Sequence, residues 1–545
     1  LRVGALLNAL LFLVATALSL RSSPQQRYSA GDQSPYSSLD QRLSEDKSVR
    51  SLFLLFLTGL TSMGAEVVWI REFTPYLGTV VYAFAAILCV YLASTFMGVR
   101  FYRHWSRTHY NVGPLIWSVL GFVALLPSFT ASPQFHFPGW LFSLVRLVLG
   151  IWAFSGILGF VTPMLVDRWS KGDPRRAGSA YAVNVLGCIV GPLISGFVLL
   201  PLLGEHWALF VFAVPWLIIG VATAQVAPPQ ERSQRTLSYV FLALALFLTL
   251  TVKGYEDQFA QRVVLRDNTA TVVATGQGMG KRLLVNGIGI TSLTPITKLM
   301  AHLPLAFHQQ APRNALVVCF GMGTTYRSLL SWNIPVTAVE LVQSVPRLFG
   351  YFHSDGPELL RSSLSRVVID DGRRYLERSR EQFDVITIDP PPPVEAAGTS
   401  LLYSKEFYEV INRRLAPAGI LQQWLPGGDA VIQAAVARAL KESFPYVRVF
   451  HSLDMEGFHF LASSSPIPFR TATELADGML STAARDLVEW GPETSARGQF
   501  AVILGRELSI DQLINGAPKV PALQDDRPEN EYYMLRESSS VQPHP

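Results

Sequence analysis

The hydropathy of this chain changes once, after Val252, and that change limits what the chain can fold into. Before it stand long apolar runs, and after it short strand and helix patterns alternate. A helix needs about 20 apolar residues to cross a bilayer. Eight runs approach that length, at residues 3–20, 51–70, 76–99, 112–129, 140–166, 178–203, 206–226 and 236–252. We therefore predict an α-helical multi-pass membrane domain followed by an α/β domain.

The composition supports this division and excludes several classes of protein. Charged residues make up 16% of the 545, against about 25% in a typical soluble protein. The net charge of +4 comes without a clustered basic face, so nucleic acid is not an expected partner. Cys89, Cys188 and Cys319 lie in apolar stretches, which argues against a disulfide framework. No His/Cys cluster has metal-ligand spacing, and we predict no metal.

We divide the chain into four parts by these patterns. Leu1–Leu20 has no evident cleavage site after it, so we interpret it as the last helix of a longer membrane region rather than a signal peptide. The following residues are rich in Ser, Gln and charge, which is typical of a flexible linker. The predicted parts are 1–50 (apolar helix and linker), 51–252 (transmembrane helices), 253–298 (small β-hairpin region) and 299–545 (α/β domain).

Two charged residues lie inside the apolar runs. Glu66 and Arg146 would be costly in lipid unless they are paired. We predict an ion pair between them that locks two helices, with a role in transport as the alternative.

The chain after Val252 begins with short alternating segments. Arg262–Leu265, Ala270–Ala274 and Arg282–Val285 predict strands of a small antiparallel region, with a Gly-Gln-Gly-Met-Gly turn before the third. The pattern at Ile296–His308 predicts a helix.

A glycine-rich turn then follows an apolar strand that ends at Phe320. Gly321 and Gly323 let the backbone approach a ligand closely, and the helix that begins there offers free N–H groups. The third glycine of the usual dinucleotide motif is absent, so the turn alone is a weak indication of nucleotide binding.

Three further strands end in acidic residues. Glu340 ends the second strand, at the spacing expected of an acid that accepts both ribose hydroxyls, although it could instead cap the next helix. Asp370 and Asp371 end the third, where a carboxylate can take an adenine amino group. Asp389 ends the fourth, at the sheet edge where open α/β sheets bind ligands. Together the four strand ends predict a nucleoside site.

From about Leu283 to Trp424 the chain resembles the spermidine synthases, aminopropyltransferases with a Rossmann-like fold of the S-adenosylmethionine (SAM) methyltransferase type. The motifs that carry the resemblance are Val285-Asn-Gly, Met300-Ala-His-Leu-Pro-Leu, the glycine turn, Asp371-Gly372, Ser400-Leu-Leu-Tyr-Ser-Lys-Glu-Phe-Tyr and Leu415-Ala-Pro-Ala-Gly. With the apolar helices before it, the whole chain resembles the bacterial membrane-embedded spermidine synthase-like proteins.

The resemblance implies a nucleoside half of the site. Glu340 would hold the ribose, and Asp371 with Gly372 the adenine. Gly321 and Gly323 would form the turn beneath them. The co-substrate would be decarboxylated SAM or SAM, with no metal.

The resemblance also implies an acceptor half. Asp389 would orient and deprotonate the attacking amine, and Pro390 and Tyr403 would belong to the substrate loop. The partners would be the lipid bilayer and an acceptor, either a small amine or a membrane-associated molecule. Domains of this family commonly form dimers, which implies a homodimer.

Four positions depart from the family's pattern. The aspartate that binds the amine of the aminopropyl group is Met322, a tyrosine is Ile296, a glutamine is Ile290 and a second aspartate is Pro392. A diamine needs carboxylates, because burying an unpaired ammonium is costly. The alternatives to aminopropyl transfer are therefore a SAM-dependent methyltransferase acting on a membrane-associated substrate and a non-catalytic transporter or sensor.

The position of the α/β domain relative to the membrane follows from two arguments that disagree. The positive-inside rule places the arginines at 100, 103 and 107, and the basic residues from 168 to 176, in the cytoplasm. Counting onward, the run at 236–252 brings the α/β domain to the other face. An S-adenosyl nucleoside is made in the cytoplasm, so we expect a bacterial inner-membrane protein whose α/β domain is cytoplasmic.

Overall fold

The computed structural model describes residues 38–107, 113, 115–134, 140–226, 232–391 and 393–535. The apolar run at 3–20 and Pro392 therefore lie outside the described residues. Residues 38–50, which were predicted as part of a linker, are helical.

Helices alone make up the described chain as far as Thr251. They are α1 Ser38–Leu77, α2 Val81–Trp105, α3 Leu115–Val123, α4 Leu126–Thr130, α5 Trp140–Ser170, α6 Pro174–Ile194, α7 Leu200–Val226 and α8 Arg232–Thr251. Among the residues that the structure describes, five helical stretches are long and apolar enough to cross a membrane: 50–77, 81–105, 142–170, 174–226 and 232–251. The predicted apolar runs in this part of the chain are thus helical.

Two predicted runs have a different local structure from the single helix expected. The described residues of 112–129 contain the two short helices α3 and α4, and Pro127 lies in the first turn of α4, where its missing N–H is tolerated. A π-helical turn, Ser195–Leu199, interrupts the run at 178–203. This run and the run at 206–226 meet at a kink at Gly204, which has φ +79°.

The predicted ion pair between Glu66 and Arg146 does not form. Arg146 donates instead to the carbonyl oxygens of Thr130 and Ser132, at 3.2 and 3.3 Å, and lies 4.3 Å above the ring of Tyr76. Tyr76 follows Glu66 by ten residues on α1, a separation of about 15 Å along a helix. The arginine is therefore at a different depth of the bundle from the glutamate.

The α/β domain contacts one end of the helical bundle. Near the C-terminal end of α1, Arg71 donates to the carbonyl oxygens of Asp267 and Asn268, and Glu205 at the start of the second half of α7 accepts from the Thr271 hydroxyl. Helix α2 begins beside the α/β domain and ends 25 residues later, about 37 Å away. Its far end carries arginines that the positive-inside argument used.

A small antiparallel sheet follows the helices. Its strands are β1 Arg262–Arg266, β2 Thr271–Thr275, β3 Arg282–Val285 and β4 Ile288–Ser292, paired in that order. The first three confirm the prediction, and β4 was missed. It pairs with β3 through the tight turn at Asn286 and Gly287, whose φ angles of +49° and +77° suit a two-residue hairpin.

An eight-stranded sheet completes the chain, in the order β12-β10-β11-β9-β8-β5-β6-β7. Its strands are β5 Ala315–Val318, β6 Val336–Glu340, β7 Ser365–Ile369, β8 Phe383–Ile388, β9 Leu415–Pro426, β10 Tyr446–His451, β11 Gly457–Ser463 and β12 Glu507–Leu508. Strands β5 to β9 run parallel, and the last three pair antiparallel. The predicted Rossmann-like fold is confirmed.

Helices cover both faces of this sheet. They are α9 Pro295–Phe307, α10 Thr324–Leu330, α11 Gly372–Arg378, α12 Lys405–Asn412, α13 Ala430–Ser443, α14 Ala472–Asp477, α15 Ser481–Val488, α16 Ala496–Leu504 and α17 Ile510–Asn515. The chain leaves β5 toward β6 on one side, while β8 pairs with β5 on the other. This change of direction opens a crevice at the carboxyl ends of β5 and β8, where such sheets bind ligands.

Candidate active site

The turn after β5 holds three residues with positive φ: Cys319 (+72°), Gly321 (+54°) and Gly323 (+81°). A Cβ at Gly323 would lie 2.4 Å from the ring of Phe349, so packing requires glycine there. A Cβ at Gly321 would meet only the methyl group of Thr291, at 3.7 Å. Gly321 therefore faces open space in front of the turn, where a ligand could approach the backbone.

Glu340 holds this turn against the end of β6. One carboxylate oxygen accepts from the N–H of Phe320 at 2.8 Å and the other from the N–H of Val342 at 2.9 Å. The side chain is only 8% exposed, and burial raises the pKa of Glu340 against the lowering effect of those N–H groups. Each oxygen keeps a further lone pair, so ribose hydroxyls could still donate to it.

Asp371 and Gly372 begin helix α11 beside the same turn. The exposed Asp371 carboxylate accepts from the N–H of Arg374 at 2.8 Å and so caps the helix. A Cβ at Gly372 would lie 2.4 Å from a methyl group of Val318. The glycine therefore lets α11 pack closely on β5, which brings Asp371 to the crevice.

Asp389 lies at the centre of the crevice. Its N–H donates to the carbonyl oxygen of Val318 at 3.1 Å, so the residue is level with the end of β5. Burial, and then the negative charge of Glu340, raise the pKa of Asp389 to about 7. An acid with that pKa is ionised in part of the molecules at neutral pH and can exchange a proton with an amine.

Cys319 stands between these carboxylates, although sequence reasoning did not name it as a site residue. Burial raises the pKa of the Cys319 thiol, and the charges of Glu340, Asp389 and Asp371 raise it further. The three acids that were predicted on three separate strands are therefore within electrostatic reach of one thiol. The only signal in the sequence was a cysteine directly before the glycine turn.

The predicted substrate-loop residues lie next to Asp389. Pro390 is buried directly after it. Tyr403 is 1% exposed, and its hydroxyl donates to the carbonyl oxygen of Trp424 at 3.4 Å. Burial, followed by the charge of Asp389, raises the pKa of Tyr403. The tyrosine is therefore a neutral hydrogen-bonding group in the wall of the site.

Two of the apolar replacements belong to the interior. Met322 is 2% exposed within the hydrophobic core of the α/β domain, and Ile296 is 9% exposed. Ile290 is half-buried on β4, and Pro392 lies outside the described residues. At Met322 and Ile296 the chain thus has apolar packing where the family resemblance implies polar contacts.

Part of the chain matches a known family of domains. Residues 294–451 match the family model described as the spermine/spermidine synthase domain. Polyamine aminopropyltransferase 2 of Hyperthermus butylicus is 27% identical over 229 residues, which are 39% of this chain and 74% of that protein. Polyamine aminopropyltransferase 1 of Streptomyces coelicolor is 25% identical over 350 residues, 58% of this chain and 64% of that protein.

Among solved structures, the spermidine synthase from Thermotoga maritima is similar with a TM-score of 0.36 and 18% identity, over 45% of this chain and 84% of that one. The family resemblance seen in the sequence is confirmed for residues 294–451, which match the spermine/spermidine synthase domain. The named relatives are transferases.

Proposed function

We propose that this chain, which carries a spermine/spermidine synthase domain, is a membrane-bound aminopropyltransferase of polyamine-type metabolism. Its donor would be decarboxylated SAM and its acceptor an amine. The observation that carries the proposal is the position of Asp389, whose pKa of about 7 suits a general base, beside the ribose-type acid Glu340. The family match supports the same reaction class.

The transfer follows from the chemistry of an amine and a sulfonium. The acceptor ammonium first gives a proton to the Asp389 carboxylate. The free amine nitrogen then attacks the methylene carbon next to the sulfonium, forming a C–N bond while the C–S bond breaks. The electron pair passes to sulfur and leaves a neutral thioether nucleoside. A sulfonium leaves readily, so holding the two reactants in line contributes more than acid catalysis.

The nucleoside would occupy the crevice in front of the glycine turn. Glu340 has free lone pairs for the ribose hydroxyls, and Asp371 stands at the rim for the adenine amino group. The open space at Gly321 would admit the nucleoside close to the backbone.

Two residues of the predicted acceptor site, Met322 and Ile296, favour a second candidate function, methyl transfer from SAM to a membrane-associated substrate. Met322 and Ile296 are buried and apolar, so those positions offer no charge to a diamine. An amphiphilic acceptor would tolerate that surface better than a polycation would.

The helical region would hold the enzyme in a lipid bilayer. Large apolar side chains stand exposed along α2, among them Leu92 at 55% and Phe96 at 63%. Such contiguous exposure is unfavourable in water but not in lipid. The length and composition of the five helical stretches support the same proposal.

Mass spectrometry of the nucleoside product tests the function. The protein would be incubated with decarboxylated SAM plus putrescine, and separately with SAM plus a membrane extract. Methylthioadenosine from the first mixture alone is the expected result, and S-adenosylhomocysteine from the second would establish methyl transfer instead. Asp389→Asn should lose turnover yet bind the nucleoside. If the wild-type protein binds the nucleoside but forms neither product, that result would contradict both aminopropyl transfer and methyl transfer. It would favour a non-catalytic sensor.

A further inference from the structure

The chain after Asp389 makes a 3₁₀ turn, Thr399–Leu402, before it reaches Tyr403. We call the described residues of 390–403, this turn included, the substrate loop. Within the loop, the Thr399 hydroxyl bonds to the carbonyl oxygens of Val394 and Ala396, at 2.6 and 2.7 Å. Two distant segments of the chain supply further bonds.

The first segment is the C-terminal tail. Asn530 is fully buried, and its side-chain N–H₂ donates to the carbonyl oxygen of Val394 at 2.6 Å and to the Thr399 hydroxyl at 3.1 Å. The neighbouring Glu531 is 7% exposed, and one carboxylate oxygen accepts from both the N–H and the hydroxyl of Ser400. Asn530 thus bonds the substrate loop at Val394 and Thr399, and Glu531 bonds it at Ser400.

The second segment is the connector between α1 and α2. The N–H of Ala397 donates to the carbonyl oxygen of Thr79 at 2.9 Å, and Val80 pairs with Ala396 in an antiparallel bridge. The ring of Tyr82, in the first turn of α2, meets the ring of Tyr533 edge to face, 5.5 Å apart, and so joins the start of α2 to the tail. The loop thus contacts both the connector and the tail, and the tail contacts the helix that follows the connector.

The tail does not need these bonds to stay docked. Before Asn530 it is already held where Arg373 bonds Asp525 in bidentate fashion, at 2.8 and 2.7 Å, and where Leu523 exchanges backbone bonds with Lys405 and Ala435. The Asn530 amide oxygen is buried without a partner among the described residues, which costs free energy. Asn530 is buried at that cost, and its N–H₂ group bonds to the loop. We therefore infer that its role is to hold the loop.

We propose that Asn530 and Glu531 are positioning residues, which with the α1–α2 connector hold the substrate loop where the acceptor meets Asp389. The inference rests on the proposed transferase function. By this proposal the helical region and the tail are structural parts of the acceptor site, whereas β5, β6 and α11 hold the nucleoside.

The test compares Asn530→Ala and Glu531→Ala with Asp526→Ala, a matched tail variant whose side chain is exposed. The first two should lose about 10- to 100-fold in kcat, because small misplacements of a reacting group cost that much. Their Kd for methylthioadenosine, measured by calorimetry, should stay within about twofold of wild type. Glu531→Gln should restore most of kcat, since its amide oxygen can still accept from Ser400.

Two results would overturn the proposal. One is a kcat equal to that of Asp526→Ala. The other is an equal loss of kcat and nucleoside affinity, which would mean that the tail only stabilises the fold. If the wild-type protein makes no product, the transferase proposal fails. Amide hydrogen exchange of residues 394–402 then tests whether Asn530 and Glu531 hold the loop. Faster exchange in Asn530→Ala and Glu531→Ala, but not in Asp526→Ala, would support the proposal that the tail holds the loop. Unchanged exchange would refute it.

Discussion

At the scale of single residues, the protonation of Asp389 sets the chemistry that the crevice can perform. A protonated carboxyl cannot take a proton from an ammonium, and the pKa of Asp389 is raised to about 7. We therefore expect kcat to rise with pH up to about 7 and to fall roughly tenfold per unit below it. Steady-state rates from pH 5.5 to 8.5 check this. A kcat that is constant between pH 6 and 8 would contradict the assignment.

The same raised pKa has a consequence for stability. Ionising Asp389 costs the folded state more than the unfolded one, so the penalty is absent below about pH 4 and complete above about pH 7. Asp389→Asn should then raise the thermal midpoint at pH 8 and leave it nearly unchanged at pH 4. Calorimetric scans at the two pH values measure the difference. An equal shift at both would show that ionisation is not the cause.

Two glycines of one turn allow a matched comparison. At Gly323 an alanine would meet Phe349 at 2.4 Å and adopt φ +81°, so Gly323→Ala should destabilise the fold by several kcal/mol, about 2–4. At Gly321 only the backbone cost of about 1–2 kcal/mol applies. Gly321→Ala should instead lose nucleoside affinity, because its methyl group enters the open space. Chemical denaturation and nucleoside titration of both variants distinguish the two effects.

At the scale of secondary-structure elements, a buried charge network joins α9, α10 and α15. The Lys298 ammonium is fully buried and donates to Asp486 at 2.9 Å and Glu489 at 2.7 Å. His302 and Arg327 also bond Asp486, at 2.8 and 2.6 Å. Burial alone would raise the pKa of Asp486, but the hydrogen bond from His302 and the charge of Lys298 hold it far below its usual value.

Breaking this network should cost more than any surface change. Asp486→Asn leaves the buried Lys298 ammonium with only Glu489 of the two carboxylates bonded to it, and removing one partner of a buried pair costs about 3–5 kcal/mol. The free energy of unfolding should fall by that amount, while the exposed control Asp477→Asn should change it by less than about 0.5 kcal/mol. Urea titrations measure both. A loss similar to the control's would mean that the network contributes specificity rather than stability.

At the scale of the whole molecule, Arg71 lies at the end of the helical region that contacts the α/β domain, but the basic residues at 100–107 and 168–176 collect at the opposite end. Helices α2 and α5 carry them together, as the bond between Tyr102 and Asp167 at that end shows. The connectors that face the α/β domain, at 78–80 and 203–206, contain no lysine or arginine. If the helices span a membrane, the positive-inside rule places the α/β domain on the face opposite the cytoplasm.

We predict that orientation, against the cytoplasmic expectation from cofactor chemistry. Lys171→Cys and Lys519→Cys, both exposed, would be made in a variant with the three native cysteines replaced by serine. A membrane-impermeant maleimide should label position 519 on intact cells and position 171 only after permeabilisation. The reverse pattern would place the α/β domain in the cytoplasm. The expected pattern would require a transport step that supplies the nucleoside donor at the outer face.

The sequence by itself determined the change of hydropathy after Val252, four of the eight strands of the Rossmann-like sheet and the acids at the ends of three of them. These features are local. Whether a run of apolar residues is long enough to cross a bilayer can be counted directly in the sequence. The carboxyl ends of parallel strands share one edge of the sheet, so the order of the strands places Glu340, Asp371 and Asp389 together. Strand β4 was missed because its residues show no clear apolar alternation, and only the Asn286–Gly287 turn marks it.

Only the tertiary structure decided how those residues are used. It placed Arg146 over Tyr76 instead of beside Glu66, and it gave the Glu340 carboxylate two backbone N–H donors. It also brought Glu531 to Ser400, 131 residues earlier in the chain. Such contacts depend on which surfaces meet after the helices and sheets have packed. No periodicity or spacing within one segment encodes the position of its partner, so the substrate loop's attachment to the α1–α2 connector could not be predicted.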